Sequence, residues 1–193
     1  MKLYSPWGLV LSAGLVLLGK GLYLPAKAQV AQWLLESAWN RTAEGVVVRP
    51  WQWADTWPVA RLRQPRLGID QIVLAGASGR VLAFGPGHVQ ASALPGSEGN
   101  VVFSGHRDTH FRWLERLHKG DTLELQVPDG RVLKYAVRRM AVHDQRDTYL
   151  LDPMGQRGLR LLTCYPFDAM VAGGEQRYVV EALPLPGSSE VAM

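Results

Sequence analysis

The hydrophobic rhythm of the chain changes twice. Met1 and Lys2 lead into an apolar stretch from Trp7 to Leu24 that carries a single charge, Lys20. A helix of about 18 residues at ~1.5 Å each covers about 27 Å, close to the hydrocarbon thickness of a bilayer. Lys20 can snorkel to an interface, and Trp7 and Tyr23 stand near the ends, where amphipathic rings settle. Residues 1–25 therefore read as an uncleaved membrane anchor. The competing reading is a cleaved signal peptide, with Ala26-Lys27-Ala28 supplying the small residues; either way the remainder is exported. Val30, Trp33, Leu34 and Ala38 recur at helical spacing and continue the helix. Arg49-Pro50-Trp51-Gln52-Trp53-Ala54-Asp55-Thr56-Trp57-Pro58 fits neither period, so residues 26–58 are expected to be a helix and then an ordered linker that lays aromatic surface on the domain.

From Val59 the pattern becomes short β-rich runs bounded by Gly, Pro and Asp: Val59–Leu62, Ile69–Ala75, Val81–Phe84, Asn100–Ser104, Thr122–Val127, Arg131–Val142, Leu159–Cys164 and Arg177–Ala182. Such spacing predicts a barrel or sandwich. Thr122–Val127 and Arg131–Val137 alternate around Pro128-Asp129-Gly130, a turn in which Pro presets φ and Gly accepts a positive one. Phe111, Leu114 and Leu117 predict a short helix packed on the sheet. The domain is expected over 59–183, with a frayed tail over 184–193.

At 193 residues and 47% hydrophobic content the chain can bury a sizeable core. The net charge of +4 is scattered rather than striped, which argues against nucleic acid as a partner. One cysteine, Cys164, ends an apolar run in a chain read as exported. A lone thiol there is buried and inert, paired between chains, or kept for chemistry. A thiol with an ordinary pKa near 8.5 needs a helper to act as nucleophile, usually histidine. Of His88, His106, His110, His118 and His143, His106 is favoured because Gly105 lets the strand Asn100–Phe103 turn abruptly and present the ring at the rim. His88 is the second choice, and His110 and His118 read as solvated. Arg177, opening the last strand, could supply a permanent cation to an oxyanion. Leu94-Pro95-Gly96 reads as a turn, and Asp144, Asp147 and Asp152 as a solvated loop with no metal.

The order His106, Cys164, Arg177, the Gly105-His106-Arg107-Asp108-Thr109 strand end and the Leu161-Leu162-Thr163-Cys164 run resemble the sortases, in particular those of Gram-negative bacteria (class GN). The resemblance spans nearly the whole chain and implies an all-β fold with minor helix, an eight-stranded β-barrel preceded by an N-terminal transmembrane helix. It implies a cysteine transpeptidase, of the hydrolase class, acting without cofactor. Cys164 would attack a sorting signal like Leu-Pro-x-Thr-Gly near the C-terminus of an exported protein, and an amine acceptor would resolve the thioester. His106 would be acid and base, Arg177 the oxyanion or substrate clamp, and Thr163, Leu162 and Arg160 substrate-binding. The chain would sit in the inner membrane, single-pass, with its catalytic domain on the periplasmic side. The family often reads Thr-Leu-x-Thr-Cys, whereas this chain has Arg160 where the first threonine would stand. The alternatives are a hydrolytic cysteine peptidase and a non-catalytic peptide-binding barrel in which Cys164 is a small buried hydrophobe.

Overall fold

The computed structural model describes residues 27–42, 46–171, 173–187 and 190–191, the last two by backbone alone. Alternating sequence becomes alternating burial: in β1 (Pro58–Gln64), Ala60, Leu62 and Gln64 turn inward and the residues between them outward. The other strands are β2 (Ile69–Ala75), β3 (Gly87–His88), β4 (Asn100–Ser104), β5 (Thr122–Gln126), β6 (Arg131–Asp144), β7 (Gly158–Tyr165), β8 (Gln176–Pro184) and β9 (Glu190–Val191). Pairing runs β5-β1-β2-β3-β4-β7-β8-β6, and β6 returns to β5, so eight strands close a barrel. Closure leaves those strands no exposed edge. The ladders are antiparallel except β2 with β3 and β4 with β7, which are parallel. Leu62, Val73, Val101, Phe103, Leu123, Leu125, Val137, Leu159, Leu161 and Val180 fill the interior.

The expected hairpin forms in register, with Leu125 opposite Leu133 and Gly130 at φ 85°. Phe111, Leu114 and Leu117 are buried around a 3-10 turn, Arg112–Arg116. Val81–Phe84, expected as a strand, instead begins inside a helical turn, Gly79–Leu82, and runs out of it as a turn. Ser78 caps that turn through its Oγ, and a single apolar anchor, Val81, faces the domain, too little for a strand face. The strand in this region is the two-residue β3, where glycine is obligatory: a Cβ at Gly87 would lie 2.1 Å from the Gly76 carbonyl oxygen.

Residues 27–42 form α1. Its buried face is Leu35, Ala38, Trp39 and Thr42, of which Leu35 and Trp39 pack with Ile72, Leu74 and Val81 outside the barrel. Of the residues whose spacing predicts the helix, Ala38 is buried, while Val30 and Trp33 are exposed. The tryptophan linker divides likewise: Trp51 meets Phe84 edge-on at 4.9 Å, while Trp53 is solvent-facing. Part of the expected tail is described. Leu185 donates its amide to Lys134, and β9 pairs with Arg131 and Val132, continuing along β6 beyond the end of β8. The expected anchor, residues 1–25, lies outside the described residues; among those described, no helix is long and apolar enough to cross a membrane.

Trp39→Ala is expected to cost roughly 3–5 kcal/mol in urea denaturation by opening the layer between α1 and β2, whereas Trp33→Ala should stay within about 0.5 kcal/mol.

Candidate active site

Ser104 of β4 is the parallel partner of Leu162 of β7. His106 and Cys164 each lie two residues beyond that pair in strands running the same way, so both emerge at one end of the barrel. The turn between Ser104 and His106 is tied down atom by atom. The Gly105 amide donates to the Leu162 carbonyl at 3.1 Å, and its carbonyl accepts from the Thr163 hydroxyl at 2.7 Å. A Cβ on Gly105 would meet the buried Phe111 ring at 2.8 Å, which requires glycine here. The His106 carbonyl accepts from the Phe111 amide at 2.9 Å, leaving the imidazole exposed.

Alternation along β7 sorts the predicted residues. Leu159, Leu161 and Thr163 are buried toward the interior; Arg160, Leu162 and Cys164 share the outer face and are only partly buried. Thr163 therefore meets the turn from the interior, through Gly105, rather than from the face that carries Cys164. Arg160 is engaged in structure: its Nη1 donates to the Leu150 carbonyl at 3.1 Å, and its Nη2 lies 3.7 Å from Glu181.

Cys164 stands directly opposite Arg177 in the β7–β8 ladder, a relation that brings Cβ atoms to roughly 4.5–5.5 Å. The guanidinium donates to the Gly174 and Gln176 carbonyls at 2.7 and 2.9 Å and to the Gln145 side-chain oxygen at 3.1 Å. All three acceptors are neutral, and among the described residues no carboxylate pairs with Arg177. Its charge is held in place but not cancelled. Behind this pair Tyr165 and Phe167 close on Tyr178, with Phe167 and Tyr178 at 5.1 Å. Burial first, and Tyr165 beside it, push the Tyr178 phenol above its ordinary value, so it stays protonated.

One member of the site carried no expectation. Arg107 is 3% exposed, and its Nη2 donates to the carbonyls of Ala169 and Val171, in the loop joining Cys164 to Arg177. Arg112 donates to Phe167 in the same loop. The two arginines clamp the loop that follows Cys164 to the segment that follows His106. A fully buried arginine requires such partners, but partners that are backbone carbonyls some 60 residues away leave no sequence signature.

The other histidines are engaged elsewhere. His88 is buried, its Nε2 bonded to the Ala93 carbonyl at 2.9 Å, and burial lowers its pKa. His110, expected in solvent, is half-buried; burial also lowers its pKa, opposed by the Ala83 carbonyl and reinforced by the nearby His106. His118 is exposed against Arg66 and Asp121. His143 pairs with Asp147. Asp144 and Asp152 accept local backbone amides, and the described residues include no group of three His, Cys, Asp or Glu side chains placed to hold a metal.

A thiol, an imidazole and an uncompensated guanidinium at one rim are what acyl transfer through a thioester needs: a nucleophile, a proton carrier and a cation for the developing oxyanion. Residues 62–185 match the family model described as "Sortase domain". The chain is 33% identical over 120 residues to Sortase D of Bacillus subtilis (strain 168), a match covering 62% of this chain and 60% of the relative, less than two thirds of its length. Among solved structures, the Clostridium perfringens Sortase D5 transpeptidase superposes with a TM-score of 0.64 at 21% identity, covering 81% of this chain and 99% of that one. The catalytic domain of B. anthracis SrtD superposes with a TM-score of 0.58 at 31% identity, covering 69% and 90%. With its eight-stranded barrel and most of its length matched, the chain belongs to the sortase family.

Proposed function

We propose that this chain is a cysteine transpeptidase that cleaves a sorting signal resembling Leu-Pro-x-Thr-Gly and passes the acyl group to an amine. The observation that carries this reading is the cross-strand pair of Cys164 with Arg177, at the barrel end where His106 emerges. The Cys164 thiolate attacks the scissile carbonyl carbon, and the carbonyl π electrons move onto oxygen, where Arg177 stabilises them. Collapse expels the amine of the cleaved peptide bond, which takes a proton from His106 and leaves a thioester. The acceptor amine attacks that thioester and gives a proton back to His106, and the thiolate departs as the new amide forms. Every other Arg177 partner being neutral, its charge is free to act on the oxyanion. Leu162 lines the outer face beside Cys164, while Thr163 and Arg160 support the binding surface from beneath and beside it.

Attachment to the inner membrane through residues 1–25, with the barrel on the periplasmic side, is part of the same reading, because the substrates would be exported proteins carrying the signal near their C-termini. Water in place of the amine would make the same acyl-enzyme a hydrolase, and the acceptor separates the two.

Cys164 is expected to react with a thiol-directed reagent in the folded protein, and Cys164→Ala to abolish cleavage of a Leu-Pro-x-Thr-Gly peptide. Full activity in that variant, followed by chromatography of the products, would sink the transpeptidase reading. Raising the concentration of an amine nucleophile is expected to divert product from hydrolysed peptide to peptide-amine adduct; a product ratio indifferent to amine would assign the chain to the hydrolases.

A further inference from the structure

β6 carries a buried histidine that the proposed reaction leaves unused. His143 is the cross-strand partner of Arg177, just as Arg177 is the partner of Cys164. Directly opposed residues share a sheet face, so imidazole, guanidinium and thiol stand in one row across β6, β8 and β7. Two residues further on, Gln145 accepts from Arg177 and donates its amide to the Glu175 carbonyl at 2.6 Å, which ties the end of β6 to the start of β8.

The His143 side chain is 10% exposed. Its Nδ1 lies 3.3 Å from the Asp147 carboxylate and 3.2 Å from the Tyr149 hydroxyl, and the Tyr149 ring meets it edge-on at 6.3 Å. An ionised carboxylate only accepts, so the Nδ1 facing it carries the proton, and in a neutral ring Nε2 is then a bare acceptor. That Nε2 is buried and has no hydrogen-bond partner among the described residues. The residue that register places across from His143 is Arg177, a group with only donors to offer. The charges around the row are engaged with one another: Arg146 lies 3.7 Å from Asp144 and 3.8 Å from Glu175.

We propose that His143, oriented by Asp147, is a positioning residue for Arg177, its Nε2 serving as the acceptor that steadies the guanidinium when it turns onto the substrate oxygen. A carboxylate at this place would grip the guanidinium and cancel its charge; a neutral acceptor steadies it and leaves the charge for the oxyanion. The proposal rests on the transpeptidase role assigned to Arg177.

The test uses the full chain, with peptide turnover read beside the 15N resonance of the Arg177 Nε. His143→Phe is expected to lower kcat about tenfold with KM within about twofold, a fraction of the ~100-fold that misplacing a reacting group by 1 Å can cost. His143→Gln, which restores an acceptor, should recover kcat to within about threefold of wild type. Read in a Cys164→Ala background with the peptide bound, the Arg177 resonance should move in His143→Phe and stay near its wild-type position in His143→Gln. In an Arg177→Lys background, His143→Phe should cost nothing further. An unmoved resonance in His143→Phe, or losses that multiply in the double variant, overturns the proposal. Arg177→Lys turning over like wild type would remove the role of Arg177 itself, and this proposal with it, a failure seen in a variant that leaves His143 intact.

Discussion

The Thr163 hydroxyl reaches 2.7 Å to the Gly105 carbonyl, while the Gly105 amide reaches 3.1 Å to the Leu162 carbonyl. These two bonds extend the parallel β4–β7 ladder one residue past its last regular pair, into the turn that carries His106. Everything at the rim depends on that extension. Misplacing a reacting group by about 1 Å can cost two orders of magnitude in rate, and Phe111 holds the same turn from its far side. Because Thr163 faces inward, the bond is made in a buried setting where water competes poorly. The same alternation that buries Thr163 turns Cys164 outward.

Two arginines on neighbouring strands show how charge is apportioned. Arg160 and Arg177 both lie on the outer face, four residues and one strand apart by register. Arg160 faces Glu181 and holds the Leu150 carbonyl, so it fastens the loop between β6 and β7 to the barrel wall. Arg177 is surrounded by carbonyl and amide oxygens and keeps its full charge at the rim. The difference lies in the cross-strand partner: Glu181 opposes Arg160, and Cys164 opposes Arg177.

Most of the barrel was legible because its strands bury one face each, and period-two alternation with Gly, Pro and Asp punctuation records that directly. The candidate site was picked out where chemistry favours a rare residue, a lone cysteine, a histidine after glycine and an arginine opening a strand, and the strand register brings those residues to one end of the barrel. It was not legible where side chains bond to backbone, as Arg107 does with Ala169 and Val171, since a carbonyl is available at every position. Val81–Phe84 misled because a single buried valine in a capped turn looks like a short strand. The helix of α1 was legible from its spacing, but its packed face was not, because the position of β2 decides that Leu35 and Trp39 make the contact.

The packing of α1 draws a distinction between what is recognised and what folds. The family match begins at residue 62 and ends at 185. Leu35 and Trp39 nevertheless roof Ile72, Leu74 and Val81, β1 starts at Pro58, and β9 covers the first residues of β6. A fragment cut at the family boundaries would carry a raw apolar wall on one flank and, on another, lose the strand that flanks Arg131 and Val132 on the side away from β5. The packed unit is thus wider than the span that the family model matches.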